Sequence, residues 1–169
     1  INSNTKVIAG SAFDGCSSLT SIEIPNSVIS IGEFAFLDCS SLTKVNYLGI
    51  IDEWVQIDFG NDYANPIYCA KSLYIKDQLV TEANITSAIK INSYAFYGCS
   101  SLTSVTIGNS LTSIGNRAFN SCNKLIEVYN KSNLNIVAGS SNFGYVGYYA
   151  KNVYTPTSGQ SKLLTDENS

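Results

Sequence analysis

The sequence predicts a β-dominated solenoid in which short repeats stack and each repeat adds one strand to a parallel, concave sheet. Two observations predict this fold class. The pattern A-F-x-x-C-x-x-L-x-x-φ, where φ is an apolar residue, occurs four times, beginning at Ala12, Ala35, Ala95 and Ala118. No stretch carries the sustained 3.6-residue periodicity of a long helix, so we expect short helical turns at most.

The end of each pattern defines a predicted strand. Apolar residues alternate with polar residues in Leu19-x-x-Ile22-x-Ile24 and again in Leu102-x-x-Val105-x-Ile107, as in a strand that is buried on one face. Successive patterns within each half of the chain are 23 residues apart. This period and the L-x-x-L-x-L core are typical of leucine-rich repeats, which are roughly 20 to 29 residues long.

A second short pattern precedes the Ala-Phe pairs. It reads Ile-Gly at Gly32 and Gly115, and Ile-Asn at Asn92. We interpret it as a short extended run followed by a turn that points Ala-Phe inward. Glycine readily adopts a positive φ and asparagine tolerates one. We therefore predict a positive φ at these three positions.

Two longer segments share a different pattern. The stretch NPIYCAKSLYI, residues 65–75, aligns with YVGYYAKNVYT, residues 145–155. Each is predicted to supply one strand, preceded by a longer loop. Because the Ala-Phe patterns recur after 83 residues, from Ala12 to Ala95, the chain is interpreted as a duplicated module.

The duplication sets the predicted domain organisation. Single repeats of this kind cannot bury their apolar face alone, so they must stack. We therefore predict one continuous solenoid over residues 1–155, made of two modules at about 1–83 and 84–155. Residues 156–169 are predicted to be a polar linker or terminal tail.

The aligned repeats predict columns of inward side chains. Free cysteine behaves as a small buried hydrophobe, whereas the cysteine spacings match neither a zinc pair nor an even-numbered disulfide framework. We therefore favour a ladder of thiols in the core, and predict Cys69, outside its register, to be the most accessible. The predicted columns are Phe13, Phe36, Phe96 and Phe119; Cys16, Cys39, Cys99 and Cys122; Leu19, Leu42, Ala70, Leu102, Leu125 and Ala150; and Ile22, Val45, Leu73, Val105, Val128 and Val153.

Composition restricts the classes of partner. The chain of 169 residues is 44% hydrophobic and 14% charged, so it is expected to fold. Its net charge of -3 supplies no basic surface for nucleic acid. No apolar run is long enough for membrane insertion. Because the chain has no Met, we interpret it as a piece of a longer protein whose adjacent repeats stack on it.

Little in the sequence indicates catalysis. The chain has no His, which excludes Ser-His-Asp and Cys-His catalysis and His-based metal sites. Asp52 and Glu53 beside Trp54 could form a sugar site, alone or with Asp58, but we favour an anchoring role for Trp54 in the long loop. No enzyme activity, cofactor or metal is therefore predicted.

The stretch DFGNDYAN, residues 58–65, contains a further group of oxygen donors. Asp58, Asn61 and Asp62 could in principle hold calcium. Their spacing lacks the D-x-D-x-D-G pattern with a later Glu that defines an EF-hand loop. We therefore favour a solvated turn.

The outward positions of the strands form the predicted binding surface. Strand neighbours lie about 4.8 Å apart, so such positions form ladders suited to an extended partner. Tyrosine is a favoured contact residue because it offers rigid amphipathic area, although exposed Tyr and Thr also simply favour strands. The predicted ligand-binding residues are Glu23, Asn46, Tyr74, Thr106, Tyr129 and Tyr154 in one column, with Lys44 and Glu127 in the next.

The repeats resemble the BspA-like leucine-rich repeats of bacterial surface proteins. The resemblance rests on I-G-x-x-A-F-x-x-C-S-S-L-T-x-V-x-I and spans about residues 7–155. It implies a right-handed solenoid in a secreted or wall-attached protein that binds host or neighbouring-cell macromolecules. The longer repeats depart from the short consensus.

Two functions remain open from the sequence. The first is a noncatalytic adhesion or recognition module, extracellular or on the bacterial cell surface, that binds an extracellular protein or glycan through its concave face. The second is a structural spacer that displays other domains of a longer surface protein.

Overall fold

The protein is a β-solenoid of about six turns, built almost entirely from parallel strands. The structure, a computed structural model, describes residues 1–157 and 160–165, with side chains described through residue 155. Its helices are single turns. The predicted β-dominated leucine-rich-repeat fold is thus confirmed.

Most strands are short, and each turn of the solenoid contributes one of them to a sheet. In chain order they are β1 (Val7–Ile8), β2 (Ser21–Ile24), β3 (Ser30–Ile31), β4 (Lys44–Tyr47), β5 (Asp58–Phe59), β6 (Leu73–Ile75), β7 (Gln78–Leu79), β8 (Glu82–Ile85), β9 (Lys90–Ile91), β10 (Ser104–Ile107), β11 (Ser113–Ile114), β12 (Glu127–Asn130), β13 (Asn152–Thr157) and β14 (Gln160–Thr165). The helices are α1 (Ile51–Trp54) and α2 (Ile67–Ala70), with 3-10 turns at Asp62–Ala64 and Phe143–Tyr145.

Two longer sheets hold the main strands of the two halves. Their strand orders are β2-β4-β6-β7 and β8-β10-β12-β13-β14, and two smaller sheets are β1-β3-β5 and β9-β11. The pairs β6–β7 and β13–β14 are antiparallel, and the other pairs are parallel. Within each half the register is the predicted one, since Val45 pairs with Ile22 and Leu73, and Val128 with Val105 and Val153.

Between the halves, the structure contains a strand, β8, that the sequence did not predict. The predicted column of outward residues ran directly from Tyr74 to Thr106. Instead, β6 turns back into β7, and β8 pairs with β10, with Asn84 opposite Thr106. No Ala-Phe pattern precedes β8, which is why the repeat alignment did not find it. The outward column is therefore divided between two sheets, and β8 spans the predicted module boundary near residue 83.

The polar tail predicted at 156–169 falls partly outside the described residues. Within it, the structure places residues 160–165 in β14, which pairs with β13.

The glycines of the turns have a different role from the predicted one. Gly32, Gly115 and Asn92 do not have a positive φ. A Cβ on Gly32 would lie 2.4 Å from the backbone nitrogen of Gly10, and one on Gly115 2.3 Å from that of Ser93. Glycine is therefore needed because consecutive turns of the solenoid stack closely. The left-handed residues include those just before each Ala-Phe pair, namely Ser11, Phe34, Tyr94 and Arg117, with φ between 53° and 64°.

The predicted inward columns form one continuous core. Phe36, Phe96 and Phe119 are at most 1% exposed, and the apolar strand residues beside them are buried with them. Ala70 is only partly buried. Phe13, Cys16 and Leu19 are also partly buried, because they lie in the first described turn and are covered from one side.

The cysteine ladder exists, and Cys69, which was predicted to lie outside its register, belongs to it. Cys39 donates its thiol to the Phe13 carbonyl at 3.1 Å, and Cys69 donates to the next carbonyl in the stack, that of Phe36, at 3.4 Å. Cys69 thus continues the ladder. The repeat pattern did not reveal this, because α2 shortens the sequence spacing between Cys69 and the strand residue Leu73 to four residues. Its partial exposure is shared by Cys16, and all five thiols are free.

The two halves are joined by backbone hydrogen bonds and, at one position of the regular ladder, by side chains. In the regular turns, a Phe backbone N–H donates to the carbonyl of the next turn, as from Phe36 to Tyr63 at 3.0 Å. At the junction, the Ala95 carbonyl instead accepts from Trp54 Nε1 at 2.9 Å and Asn65 Nδ2 at 3.0 Å. Trp54 and Asn65 are both fully buried. The anchoring role predicted for Trp54 is therefore confirmed.

Candidate functional site

The candidate site is the outer face, which we define as the outward side chains of the strands in the two longer sheets. The burial pattern of β2 alternates between exposed and buried residues, as predicted, so Glu23 points to solvent. The same alternation places Thr106 and Tyr129 outward on β10 and β12. The chemistry of this face differs between the two halves.

In the first half, part of the outer face is covered by the chain itself. The turn between β6 and β7 folds over β4, so the Asp77 N–H donates to Asn46 Oδ1 at 2.9 Å. Asn46 is consequently only 2% exposed, which corrects its predicted place in the exposed column. The Lys44 ammonium binds the Asp77 carboxylate at 2.7 Å and lies 5.1 Å from the centre of the Tyr74 ring.

In the first half, the Lys44 ammonium is surrounded by groups that stabilise its charge. The hydrogen bond to Asp77 raises the pKa of Lys44, and the charges of Asp77, Tyr74 and Glu23 act in the same direction. A cation over an aromatic face is attracted by the ring quadrupole. Asn46 also lies within 3.4 Å of Glu23 through its amide. The first half therefore offers few unpaired groups to a ligand.

In the second half, the outer face is open. Tyr129 is 40% exposed and stacks on Tyr154, with ring centroids 4.8 Å apart and planes inclined by 8°. Glu127 accepts a hydrogen bond from Asn152 at 2.8 Å through one carboxylate oxygen. Its other oxygen, Oε2, is buried and has no hydrogen-bond partner among the described residues.

The aromatic pair and the carboxylate are close to each other. Burial raises the pKa of Tyr154, and the Glu127 carboxylate beside it raises this pKa further. A buried polar atom without a partner is rare in folded proteins, because it has lost its water without gaining a hydrogen bond.

The two halves present different chemistry at equivalent positions. Lys44 and Glu127 are 83 residues apart, as are Asn46 and Tyr129, whereas Tyr74 and Tyr154 are 80 apart. One scaffold thus carries a cation neutralised by its own turn in the first half, and a carboxylate beside two stacked rings in the second.

The densest acidic segment is used to hold the fold. Asp52 Oδ1 accepts the backbone N–H groups of Thr86, Ser87 and Ala88 at 3.0, 2.8 and 2.7 Å. Glu53 accepts the Ile50 N–H at 3.0 Å. Both carboxylates therefore fix loops, the first of them the loop that follows β8.

The possible calcium donors also have a structural role. Asn61 Oδ1 accepts from Ala64 N–H at 2.9 Å and from Phe34 N–H at 3.2 Å, so it caps the 3-10 turn. Across the residues that the structure describes, no group of three or more Cys, Asp or Glu side chains is placed to hold a metal ion.

The repeated turn and its backbone ladder indicate the family. A family model described as BspA type leucine rich repeat region matches residues 1–88 and 70–145, with six copies. The chain belongs to this family. Comparisons with curated proteins and with solved structures gave no significant match.

BspA-type repeats are typically found in surface-associated bacterial proteins that take part in protein interactions, and their solenoid is typically a noncatalytic scaffold. Among the described residues, no helix has the length and apolar character required to cross a membrane.

Several groups at the outer face of these BspA-type repeats were missed from the sequence. Asp77 was not considered, because Lys76-Asp77 is not one of the Gly-containing pairs that signal a two-residue hairpin, although both residues adopt a positive φ. The hydrogen bond from Asn152 to Glu127 could not be foreseen, because it depends on side-chain conformation. Asn84 was missed together with β8.

Proposed function

We propose that this BspA-type repeat module is a noncatalytic adhesion or recognition module that binds an extracellular protein or glycan through the outer face of its second half. The observation that carries the proposal is the open group formed by Tyr129, Tyr154 and Glu127. The equivalent group of the first half is neutralised by the chain itself.

The open group has the properties of a recognition surface. Tyrosine gives a large contact area at a low cost in conformational entropy, and it is common among the residues that dominate binding energy. The stacked rings of Tyr129 and Tyr154 are already ordered before a ligand arrives, which lowers the entropy lost on binding. The Glu127 carboxylate beside the rings adds negative charge to this surface.

The architecture favours an extended partner. Parallel strands repeat about every 4.8 Å, so outward residues of β10, β12 and β13 follow one another along a line. Affinity for a single module is expected to be modest and to rise when several modules bind one ligand. We therefore propose that the module acts together with adjacent repeats of a longer parent chain, which is secreted or displayed on the bacterial surface.

The noncatalytic part of the proposal rests on the carboxylates. A two-carboxylate glycosidase needs both groups free and about 5 to 10 Å apart across one cleft. Asp52 is instead engaged by three backbone N–H groups, and Glu53 by a fourth. The net charge of -3 likewise argues against nucleic acid as a partner.

An array of glycans and extracellular-matrix proteins tests the proposal. We expect the wild-type protein to bind at least one ligand, and a Tyr129→Ala/Tyr154→Ala variant to lose that binding because the stacked rings are gone. Tyr74→Ala, at the position equivalent to Tyr154, is the matched control and is expected to bind normally.

The alternative function is a structural spacer, which is favoured by the continuous packing through Trp54 and Asn65 at the junction. A spacer predicts no ligand on the array, or a ligand whose binding is the same for all three proteins. Circular dichroism of each variant checks that the fold is retained.

A further inference from the structure

A row of aromatic side chains lies on the turns of the solenoid, away from the outer face. Each ring contacts the next, with centroid separations of 6.1, 4.8, 5.9 and 6.1 Å along the row. The row links the last turn of the first half to the first turn of the second. We call it the aromatic ridge: Phe34, Tyr63, Tyr68, Tyr97 and Tyr94.

The ridge is accessible to solvent. Phe34 is 41% exposed, and the four tyrosines are partly exposed. None of these side chains belongs to a predicted inward column. Tyr94 packs partly against the core, and the turns that carry the rings are held by backbone hydrogen bonds, such as Tyr97 N–H to the Tyr94 carbonyl at 2.9 Å.

Two of the five aromatic residues have a backbone conformation that is unfavourable for bulky side chains. Phe34 and Tyr94 have φ values of 58° and 64°. Every regular turn needs this left-handed conformation just before Ala-Phe, and Gly or Asn would adopt it more readily than a bulky aromatic residue. Outliers of this kind concentrate at functional sites. The aromatic residues here are therefore better explained by a contact at the surface than by the needs of the turn.

Polar groups surround the middle of the ridge. Asp62 precedes Tyr63 in the 3-10 turn, and Arg117 follows Asn116, whose carbonyl accepts the Tyr94 N–H at 3.1 Å. Burial raises the pKa of Tyr97, the Asp62 carboxylate raises this pKa further, and the Arg117 guanidinium opposes the rise. The Lys71 ammonium is 4.6 Å from the centre of the Tyr68 ring and also donates to the Tyr68 carbonyl. Asp62 can only accept hydrogen bonds, Arg117 can only donate them, and the tyrosine hydroxyls do both.

We propose that the aromatic ridge is a second binding site, for a neutral oligosaccharide. The apolar C–H face of a sugar ring stacks on an aromatic face, while its hydroxyls need donors and acceptors at the rim. Asp62 beside Tyr63 and Arg117 near Tyr94 supply both. A polyproline segment also binds aromatic grooves, but its backbone offers acceptors alone, so it could use Arg117 but not Asp62.

This site is independent of the outer face. Its residues lie on the turns after β3 and β9, on the 3-10 turn at Asp62–Ala64 and on α2, whereas the outer face is made by strands. The proposal does not depend on whether Tyr129 and Tyr154 bind a ligand. One chain could thus hold a sugar and a second macromolecule at the same time.

Titration of the ¹⁵N-labelled protein with soluble cellohexaose and with chitohexaose tests the proposal. At least one hexasaccharide is expected to give saturable shift changes centred on Tyr68, Tyr94 and Tyr97. Tyr97→Ala is expected to weaken this binding about tenfold or more, because it removes the central ring. Arg117→Ala, at an exposed position, should weaken it similarly by removing a charged donor.

Tyr148→Ala, an exposed tyrosine outside both proposed sites, is the matched control and should leave saccharide affinity unchanged. The proposal is overturned if neither hexasaccharide produces saturable changes at the ridge, or if both ridge variants bind as the wild type does. Ridge shifts produced by decaproline but by neither saccharide would also overturn it, in favour of a peptide site. A failure of the outer-face proposal leaves these outcomes unaffected.

Discussion

Single buried side chains hold each turn of the solenoid to the next. Phe96 is fully buried and stacks on Phe119, with ring centroids 5.1 Å apart. Phe13 and Phe36 form the same pair in the first half, at 5.0 Å. The repeated Phe therefore forms one stacked pair in each half of the core.

Replacing Phe96 with alanine should lower the free energy of unfolding by roughly 3 to 5 kcal/mol, because a cavity would remain between two stacked turns. Urea denaturation followed by circular dichroism measures this loss. Phe34→Ala is the matched control at an exposed position, and should change stability by less than about 1 kcal/mol. A loss below about 1 kcal/mol for Phe96→Ala would contradict its place in the core.

Stability should fall as the pH rises from about 9 towards about 11. Burial raises the pKa of Cys39 from 9.0 to about 11, with smaller effects from Cys69 and Cys16, and burial likewise raises the pKa of Tyr47. The unfolded chain therefore ionises first, which favours unfolding in this pH range. Urea midpoints at pH 7.5 and 10.5 measure the effect. Cys39→Ala should reduce the pH dependence, and an unchanged slope in that variant would contradict the assignment.

Residue patterns predicted the core better than they predicted backbone conformation. The Phe and Leu columns follow from period and alternation, which depend only on which face is buried. The need for glycine at Gly32 could not be predicted from these patterns, because it arises from stacking. A Cβ at this position would lie 2.4 Å from the backbone of the neighbouring turn. Cys69 was misplaced for a similar reason, since α2 changes its spacing to the strand.

At the scale of elements, the junction between the halves is where regular repetition stops. The backbone bond of the regular turns is replaced there by Trp54 and Asn65, which both donate to the Ala95 carbonyl. Trp54 also packs against Tyr47 and Phe59, each with a centroid separation of 5.4 Å. The junction therefore combines packing with side-chain hydrogen bonds.

Trp54→Phe separates these two contributions. The variant keeps an aromatic ring but removes the Nε1 donor, so it should cost about 1 to 2 kcal/mol. Trp54→Ala also removes the packing and should cost roughly 3 to 5 kcal/mol. Both losses can be measured by chemical denaturation. Equal stability of Trp54→Phe and the wild type would show that the hydrogen bond to Ala95 contributes nothing.

Elements with the short consensus were predictable, and those outside it were not. β2, β4, β10 and β12 follow directly from the Ala-Phe pattern. β7 and β8 carry no such pattern, and their pairing depends on the turn between β6 and β7. That turn also removed Asn46 from the predicted surface by hydrogen bonding to it.

At the scale of the whole molecule, duplication has produced two similar scaffolds with different surfaces. Positions 83 residues apart hold Lys44 in one half and Glu127 in the other. The tyrosines of the candidate site could be predicted, because alternation places Tyr129 and Tyr154 outward. The distinction between a closed and an open half could not, because it depends on the contact between Lys44 and Asp77.

The most direct test of this account compares the two halves in one binding measurement. The affinity of a ligand identified on the array would be measured by calorimetry for the wild type, Tyr129→Ala/Tyr154→Ala and Lys44→Ala/Tyr74→Ala. We expect the second-half variant to bind at least about tenfold more weakly, and the first-half variant to bind as the wild type does. Equal losses in both variants, or a loss only in the first-half variant, would contradict the proposal that the second half carries the binding face.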